Sequence, residues 1–426
     1  MLTDPLVGPI VGLVFILLAG FGFVLPTLPL FAKSFGVGND GAGLFIASFG
    51  FARLFGDLIG GTIVDRKGER FAALTGMALL ALCASATGAA PNFLVALISW
   101  ALAGVGSAVV FAALFSYILK ASPPDRRGRT LSLFYGAFNV GVIAGGAAGG
   151  FIAGLFGLEA PLFAYTVILA VGMVAYVRFV PELPPAVRHD VSSTSENEDG
   201  TRVVRDLMRV PGFATALFLN FTYLWMVGAV FNTLLPLFAA DELYMSTTAV
   251  GVMFAVGVAA EFLVLFPAGS LADRVGRKAV LLPALAGLAA TTVLLGISPS
   301  ALVLTVVLSA LAVCSGFAAV SPAAMLSDVV PARHSGQGVG AFRFCGDIGF
   351  FLGPLIVGAA SKSFGFVSAF AITAAVPVVA MLVTFRTKET LRFETEVEGT
   401  PPSIHGAGAA SSRTIEVHII RKKRPG

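Results

Sequence analysis

The chain has 426 residues, of which 57% are apolar, 12% are charged and only three are cysteine, and its formal net charge is +4. Soluble domains average about 45–50% apolar and about 25% charged residues, so this composition excludes a soluble globular protein, and no nucleic-acid partner is expected. What remains is a polytopic membrane protein.

A hydrocarbon core about 30 Å thick needs about 20 mostly apolar residues per helical span, and backbone groups in lipid must be satisfied within the chain. A membrane barrel would show short runs of alternating polarity, whereas the runs here are long and apolar on all sides. In chain order they cover 8–32, 41–64, 71–90, 93–119, 130–155 and 161–180, then 213–239, 247–272, 279–297, 300–327, 337–361 and 365–385. The expected architecture is an all-α membrane protein of twelve transmembrane helices in two pseudo-symmetric six-helix bundles, residues 1–180 and 211–386. Residues 181–210, rich in Pro, Ser, Glu and Asp, read as a cytoplasmic linker that cannot bury a core. Residues 387–426 read as a cytoplasmic tail, with a short strand possible at "TIEVHII".

Lysine and arginine placement sets the orientation, because positive loops stay in the cytoplasm. Lys33 and Lys362 alone fall in loops on the odd-to-even side, Arg53 and Arg343 lie inside spans, and every other basic residue falls on the opposite side. Both termini are therefore expected in the cytoplasm of a cell with this chain in its plasma membrane. The first apolar run lacks a basic leader and a small-residue cleavage site, so it reads as a retained helix. Cys83, Cys314 and Cys345 lie in spans at no metal or redox spacing and read as packing residues. No metal and no cofactor is expected.

The two halves repeat. One constant shift carries Gly61, Asp65, Arg66 and Gly68 to Gly269, Asp273, Arg274 and Gly276, and it carries Gly128, Gly141, Gly145 and Gly150 to Gly336, Gly349, Gly353 and Gly358. "LPLFA" at 28–32 recurs at 235–239 with a one-residue slip. Duplicated halves of this kind are a common transporter plan.

These residues resemble the major facilitator superfamily over all twelve spans. The signature G-x-x-x-D-R-x-G-[RK]-[RK] between the second and third spans is present as GTIVDRKGER, with Glu69 in place of one basic residue, and its echo GSLADRVGRK between the eighth and ninth is complete. The glycines allow a tight turn and close helix approach. Asp65 and Asp273 can face a neighbouring helix N-terminus, while the arginines fix orientation and pair with acids on adjacent helices, so the whole reads as a cytoplasmic latch. Asp328, at the end of the tenth span, is a ready partner for Arg274 or Arg277. The equivalent first-half position is Lys120, so that half is expected to latch differently.

The family's antiporters are similar to one another in G-x-x-x-G-P-x-x-G-G on the fifth span. "GVIAGGAAGG", residues 141–150, matches it except that Gly146 stands at the proline. Glycines at Gly141, Gly145, Gly149 and Gly150 permit close packing and bending, and the repeat-related "GFFLGPLIVG" keeps the proline, as Gly353 and Pro354. Family antiporters also carry an arginine four residues before a glycine on the fourth span, where Trp100 stands before Gly104 here. If coupling exists, another residue carries it.

Five ionisable residues lie inside spans: Arg53 and Asp57, Glu261, and Arg343 and Asp347. Each costs at least about 2.5–3.5 kcal/mol on insertion scales and is a functional candidate by default. Arg53 with Asp57, and Arg343 with Asp347, are four apart and could each self-neutralise. In the resembling fold the second and eleventh spans meet, which makes crossed bridges available, Asp57 to Arg343 and Arg53 to Asp347; the crossed arrangement is favoured. Glu261, which the repeat places opposite Arg53, has no cation on its own helix and is the first candidate proton carrier, with Asp347 and Asp57 behind it. The alternative is an acid that lines the substrate path. Few other polar groups are available to orient a substrate: Asn139, Asn220, Tyr223, Trp225 and Asn232, with Phe21 among the aromatic residues. Asn220 with Tyr223, and Trp225 with Asn232, fall on two separate helix faces, so at most one pair lines a cavity.

The reading is a secondary transporter, acting as a monomer by alternating access, that couples protons to export of a hydrophobic or amphiphilic small molecule. Coupled uptake on the same fold and a non-transporting sensor are the alternatives. An enzyme is not expected, since the spans carry no His or Cys cluster and no nucleophile motif, and the chain has no P-loop.

Overall fold

The computed structural model describes residues 4, 6–122, 127–182, 200–331 and 334–389. Its spans begin and end within a few residues of the apolar runs. The first half contains α1 (Val7–Val24, continued after a short turn by Leu28–Lys33), α2 (Asn39–Lys67), α3 (Glu69–Gly88), α4 (Phe93–Ala121), α5 (Arg127–Phe156) and α6 (Ala160–Phe179). The second contains α7 (Phe213–Asp241), α8 (Thr247–Val275), α9 (Arg277–Gly296) and α10 (Ala301–Val329), then one continuous run, Ser335–Arg386, that breaks at Gly365 into α11 (335–364) and α12 (366–386). Among the described residues nine helices, or ten with the bent α2, are long and apolar enough to cross a membrane, and the longest of them holds two spans.

Sequence chemistry fixes the ends. Asn92, Ser246 and Ser300 each cap a long helix by accepting a backbone N–H three residues on, at 3.0, 3.3 and 3.4 Å, which satisfies one of the orphan donors of the first turn. Gly68 (φ 84°) and Gly276 (φ 106°) form the sharp corners between α2 and α3 and between α8 and α9. A side chain is strained at such φ values, so the repeated signature needs its last glycine for backbone geometry alone.

Each half packs alike. In the first, α1 lies against α5 and α6, α2 against α4, and α3 against α4 and α6; in the second, α7 lies against α11, α8 against α10, and α9 against α10 and α12. The halves meet along two seams, α2 with α11 and α5 with α8. The outward faces stay apolar: Leu82, Leu155, Val174, Leu263 and Leu302 are all exposed, as a lipid-facing surface requires. Residues 183–199 and 390–426, with the strand expected at "TIEVHII", lie outside the described residues. The described end of the linker departs from expectation, because Gly200–Leu207 is helical and buries Val203 and Leu207.

Candidate functional site

The α2–α11 seam gathers four charges at mid-span. Arg53 donates from Nε to Asp347 Oδ1 at 3.2 Å and from Nη1 to Ser107 Oγ on α4 at 3.1 Å. Arg343 donates from Nη2 to Asp57 Oδ1 at 2.9 Å, and its guanidinium lies 3.4 Å from the centre of the Phe111 ring, within cation–π range. The pairs therefore cross the seam. Immediately beyond Asp57, α2 bends by 40°.

The repeat gives this cluster an image in the second half. The shift that carries Gly61 to Gly269 carries Arg53 to Glu261, Ser107 to Ser315 and Asn139 to Asp347. The hydrogen bond repeats as well, with Ser315 Oγ donating to Glu261 Oε1 at 3.1 Å. The ion pair does not. Where Arg53 finds Asp347, Glu261 has Ser315 as its hydrogen-bond partner and Tyr223 within electrostatic reach, and no cation acts on it among the described residues. The side chain of Asn139 lies outside the described residues.

At the end of the bundle that carries most of the basic residues, which we call the basic end, two departures from the signature explain one another. Glu69 Oε1 accepts from Lys120 Nζ at 2.6 Å and from Ser116 Oγ at 3.0 Å. The repeat carries Glu69 to Arg277 and Lys120 to Asp328, and those two form an ion pair at 3.5 Å. Both halves thus close the same corner, with the charges exchanged. Asp328 takes Arg277 rather than Arg274, which is exposed. Asp65 and Arg66 are exposed and have no partner among the described residues. The side chain of Asp273 lies outside the described residues. Gly61 has open space around it and Gly269 only a loose neighbour.

The glycines of α5 serve packing. A Cβ at Gly141, Gly145 or Gly149 would strike the carbonyl oxygen of Phe15, Ala19 or Phe23 on α1, and one at Gly150 would strike Gly251 on α8. The helix is continuous over Arg127–Phe156, so close approach rather than a break accounts for the run. A Cβ at Gly146, the position of the missing proline, would meet nothing on a neighbouring helix nearer than Gly22 O at 3.9 Å. Gly353 seats α11 on Trp225 and Ala229, and the carbonyl of Pro354 abuts Gly43 across the seam.

Of the cavity candidates, Phe21 stacks on Phe49 at 5.5 Å, and Tyr223 borders a small cavity with Ser315. Asn220, Trp225 and Asn232 are buried in helix packing in this arrangement. Asn220 Nδ2 is committed to Phe342 O at 2.7 Å, and Trp225 lies against Phe221. Asn232 falls in a π-helical turn, Val227–Leu234.

Sequence reasoning missed the end opposite the basic one. There Lys33 pairs with Asp241 at 2.6 Å and Lys362 with Asp40 at 2.8 Å, each joining the two halves. Below them Gly43 meets Gly358 and Gly150 meets Gly251, backbone to backbone. The signal was present: these are the two lysines on an otherwise non-basic side.

The comparisons agree with this geometry. The family model described as Major Facilitator Superfamily matches residues 10–264 and, overlapping, 213–423. Multidrug resistance protein 2 of Bacillus subtilis is 25% identical over 62% of this chain and 66% of its own length. Quinolone resistance protein NorA of Staphylococcus aureus is 26% identical over 33% of this chain and 36% of its own. The chain thus matches just under two thirds of the first relative's length and about a third of the second's. An uncharacterised MFS-type transporter of Methanocaldococcus jannaschii is 22% identical over 87% of this chain and 95% of its own. Among solved structures, the nucleoside transporter NupG (D323A mutant) superposes with a TM-score of 0.69 at 15% identity over 88% of this chain and 98% of its own. The human organic anion transporter MFSD10 does so with 0.66 at 16% identity, over 89% and 99%. A twelve-helix repeat with its corner signature in both halves, matched from residue 10 to 423 by one family, is a multi-pass membrane protein: the chain belongs to the Major Facilitator Superfamily.

Proposed function

We propose that the protein is a proton-coupled secondary transporter that exports a hydrophobic or amphiphilic small molecule by alternating access between bundles 1–180 and 211–386. The observation that carries the coupling is Glu261. A mid-span acid that has a serine and, among the described residues, no cation beside it, at the place where the other half has an arginine, is suited to take its positive charge from solution as a proton. The basic end is the cytoplasmic one under the positive-inside rule. The ion pairs Lys33–Asp241 and Lys362–Asp40 and the glycine contacts below them then shut the outer face. Both features favour an arrangement closed on the outer side. The drug-resistance relatives favour export of an apolar compound.

Glu261→Gln, tested in proteoliposomes, should abolish gradient-driven net flux and preserve substrate exchange, which needs no proton release. Retained gradient-driven flux would remove Glu261 as carrier. Uptake is the second reading, favoured by Gly146 at the antiporter proline, and the direction of flux under an imposed pH gradient separates the two.

A further inference from the structure

The second half encloses a small cavity beside the serine that holds Glu261. It lies between α7, α9 and α10, and its volume open to the centre of a water is about 10 Å3, close to what one molecule of water needs. Most of the lining is apolar, but Thr222, Tyr223 and Ser315 bring hydroxyl groups to it, and Pro322 has no N–H to give the Ala318 carbonyl four residues back. A buried water takes roughly two to four polar partners, and this lining carries them. Ser315 is the link to the mid-span acid, because its Oγ donates to Glu261 Oε1 at 3.1 Å. With that proton committed, the same oxygen has only lone pairs to turn elsewhere. Thr222 is committed in the same way, to Phe218 O at 2.9 Å. Both hydroxyls are left as acceptors, and a water supplies the donor that suits them.

The cavity extends from Ser315 toward the basic end. Along α10, Pro322 is seven residues nearer Asp328 than Ser315 is, roughly 10 Å at the helical rise. On α9 the lining reaches Leu281, four residues from the helix start at Arg277, and on α7 it reaches Leu219, six from Phe213. All three helices belong to the second half, so rocking of the halves as rigid bodies leaves the cavity intact. Few groups around Glu261 can exchange a proton with it. Ser315 faces it from α10 and Tyr223 acts on it from α7, no cation does so among the described residues, and the Asn139 side chain of α5 lies outside them.

We propose that this cavity holds a water that is the immediate proton donor and acceptor of Glu261, with Ser315 as the relay between them. The route rests on the carrier reading of Glu261 above and supplies that carrier from the basic end. On loading, a protonated water passes one proton to Ser315 Oγ while the serine's own proton moves to Glu261 Oε1. One O–H bond forms and one breaks at the serine, the water becomes neutral and the carboxylate becomes an acid; the reverse sequence unloads it. Such a route runs inside one bundle and needs no water between the halves, so proton and substrate travel by separate paths.

Hydroxyl-radical footprinting by X-ray radiolysis of water, read by mass spectrometry on the full-length protein in lipid, tests for the water without a transport assay. Met226 lines the cavity and is 2% exposed, while Met77 and Met253, at 0% and 1%, do not line it. Met226 should be oxidised well ahead of the other two, and Ala318→Val, which fills the cavity, should bring it down to their level. In proteoliposomes Ala318→Val should lose gradient-driven net flux and keep substrate exchange. Ser315→Ala should lose gradient-driven flux, and Ser315→Thr, which keeps the hydroxyl, should regain it. Equal oxidation of the three methionines in the parent means a dry cavity and overturns the proposal, and this result needs no variant to fold. Gradient-driven flux that survives in both Ala318→Val and Ser315→Ala overturns it too, since the water would then be structural. The carrier reading fails separately: retained gradient-driven flux in Glu261→Gln removes the acid that the route serves, and with it the route, even where Met226 is oxidised.

Discussion

Replacing Lys120 by methionine removes the cation from Glu69 and keeps most of the side-chain volume. Glu69 is 4% exposed, and its Oε1 is held by Lys120 Nζ at 2.6 Å and Ser116 Oγ at 3.0 Å, so the variant leaves a buried carboxyl with one hydroxyl donor. Breaking a buried pair from one side costs about 3–5 kcal/mol. At about 2 °C per kcal/mol, the low end for large domains, the thermal midpoint should fall by roughly 6–10 °C. Glu69→Arg alone sets two cations side by side and should be at least as harmful. The double variant Glu69→Arg with Lys120→Asp writes into the first half the pair that the second half already holds, Arg277 with Asp328 at 3.5 Å, and should recover most of the loss. Arg277→Met should cost less than Lys120→Met, because the Asp328 side chain is 20% exposed and can be rehydrated. Thermal unfolding of the detergent-purified protein, followed by tryptophan fluorescence with folded yield from size exclusion, measures all four variants. A double variant no more stable than the worse single would refute the exchange of charges. A Lys120→Met midpoint within about 2 °C of the parent would put the pair in the range of surface bridges, about 0–1 kcal/mol, and refute its structural role.

At the seam, Asp57→Arg and Arg343→Asp should each lower transport and folded yield, and the double exchange should recover part of both in a double-mutant cycle; purely additive damage would mean the two do not act as a pair. On α5, Gly145→Leu or Gly149→Leu should abolish folded yield, since even a Cβ meets an α1 carbonyl, while Gly146→Ala should change the midpoint by no more than about 0.5 kcal/mol in equivalent stability, as at a site with room. Equal yields at Gly145 and Gly146 would sink the packing account.

Much of this was legible because membrane spans announce themselves by length and apolarity, and because a repeat doubles every observation. The crossed pairing of Arg53, Asp57, Arg343 and Asp347 follows once the second and eleventh spans are known to meet. The reversed corner was half visible: Glu69 and Lys120 were each noticed as a departure, and applying the repeat shift to both at once would have joined them. What stayed hidden depends on rotation about the helix axis. Asn220 and Trp225 look like cavity residues by polarity, yet Asn220 points at the Phe342 carbonyl and Trp225 at Phe221. The π-helical turn at Val227–Leu234, just before Pro236, shifts the phase of α7 in a way that a constant period of 3.6 residues cannot anticipate. The end opposite the basic one was missed for a different reason. A lysine alone in a loop carries no sign of its partner until the fold brings Asp241 or Asp40 to it.

The repeat also separates charges that hold the fold from charges that do something else. At the basic corner both members of a pair were exchanged together, Glu69 for Arg277 and Lys120 for Asp328, which keeps the interaction and changes nothing else. At mid-span the exchange is incomplete. Arg53 has become Glu261, its serine has been kept as Ser315, and the partner acid Asp347 corresponds to the neutral Asn139. Compensated reversals preserve stability, whereas this one leaves an acid with no cation beside it among the described residues. Completing the exchange should remove the unmatched acid. Glu261→Arg with Asn139→Asp rebuilds, on the α5–α8 seam, the pair that Arg53 and Asp347 make on the α2–α11 seam. Because α5 and α8 already meet at Gly150 and Gly251, a mid-span bridge there should tie the two halves along both seams. The double variant should fold with a thermal midpoint at or above the parent's and show neither gradient-driven flux nor exchange, while Glu261→Arg alone, with a mid-span cation and no acid opposite, should lose folded yield. Gradient-driven flux in the double variant would show that the second half needs no titratable acid at this place, and Glu261 would then be an ordinary lining residue.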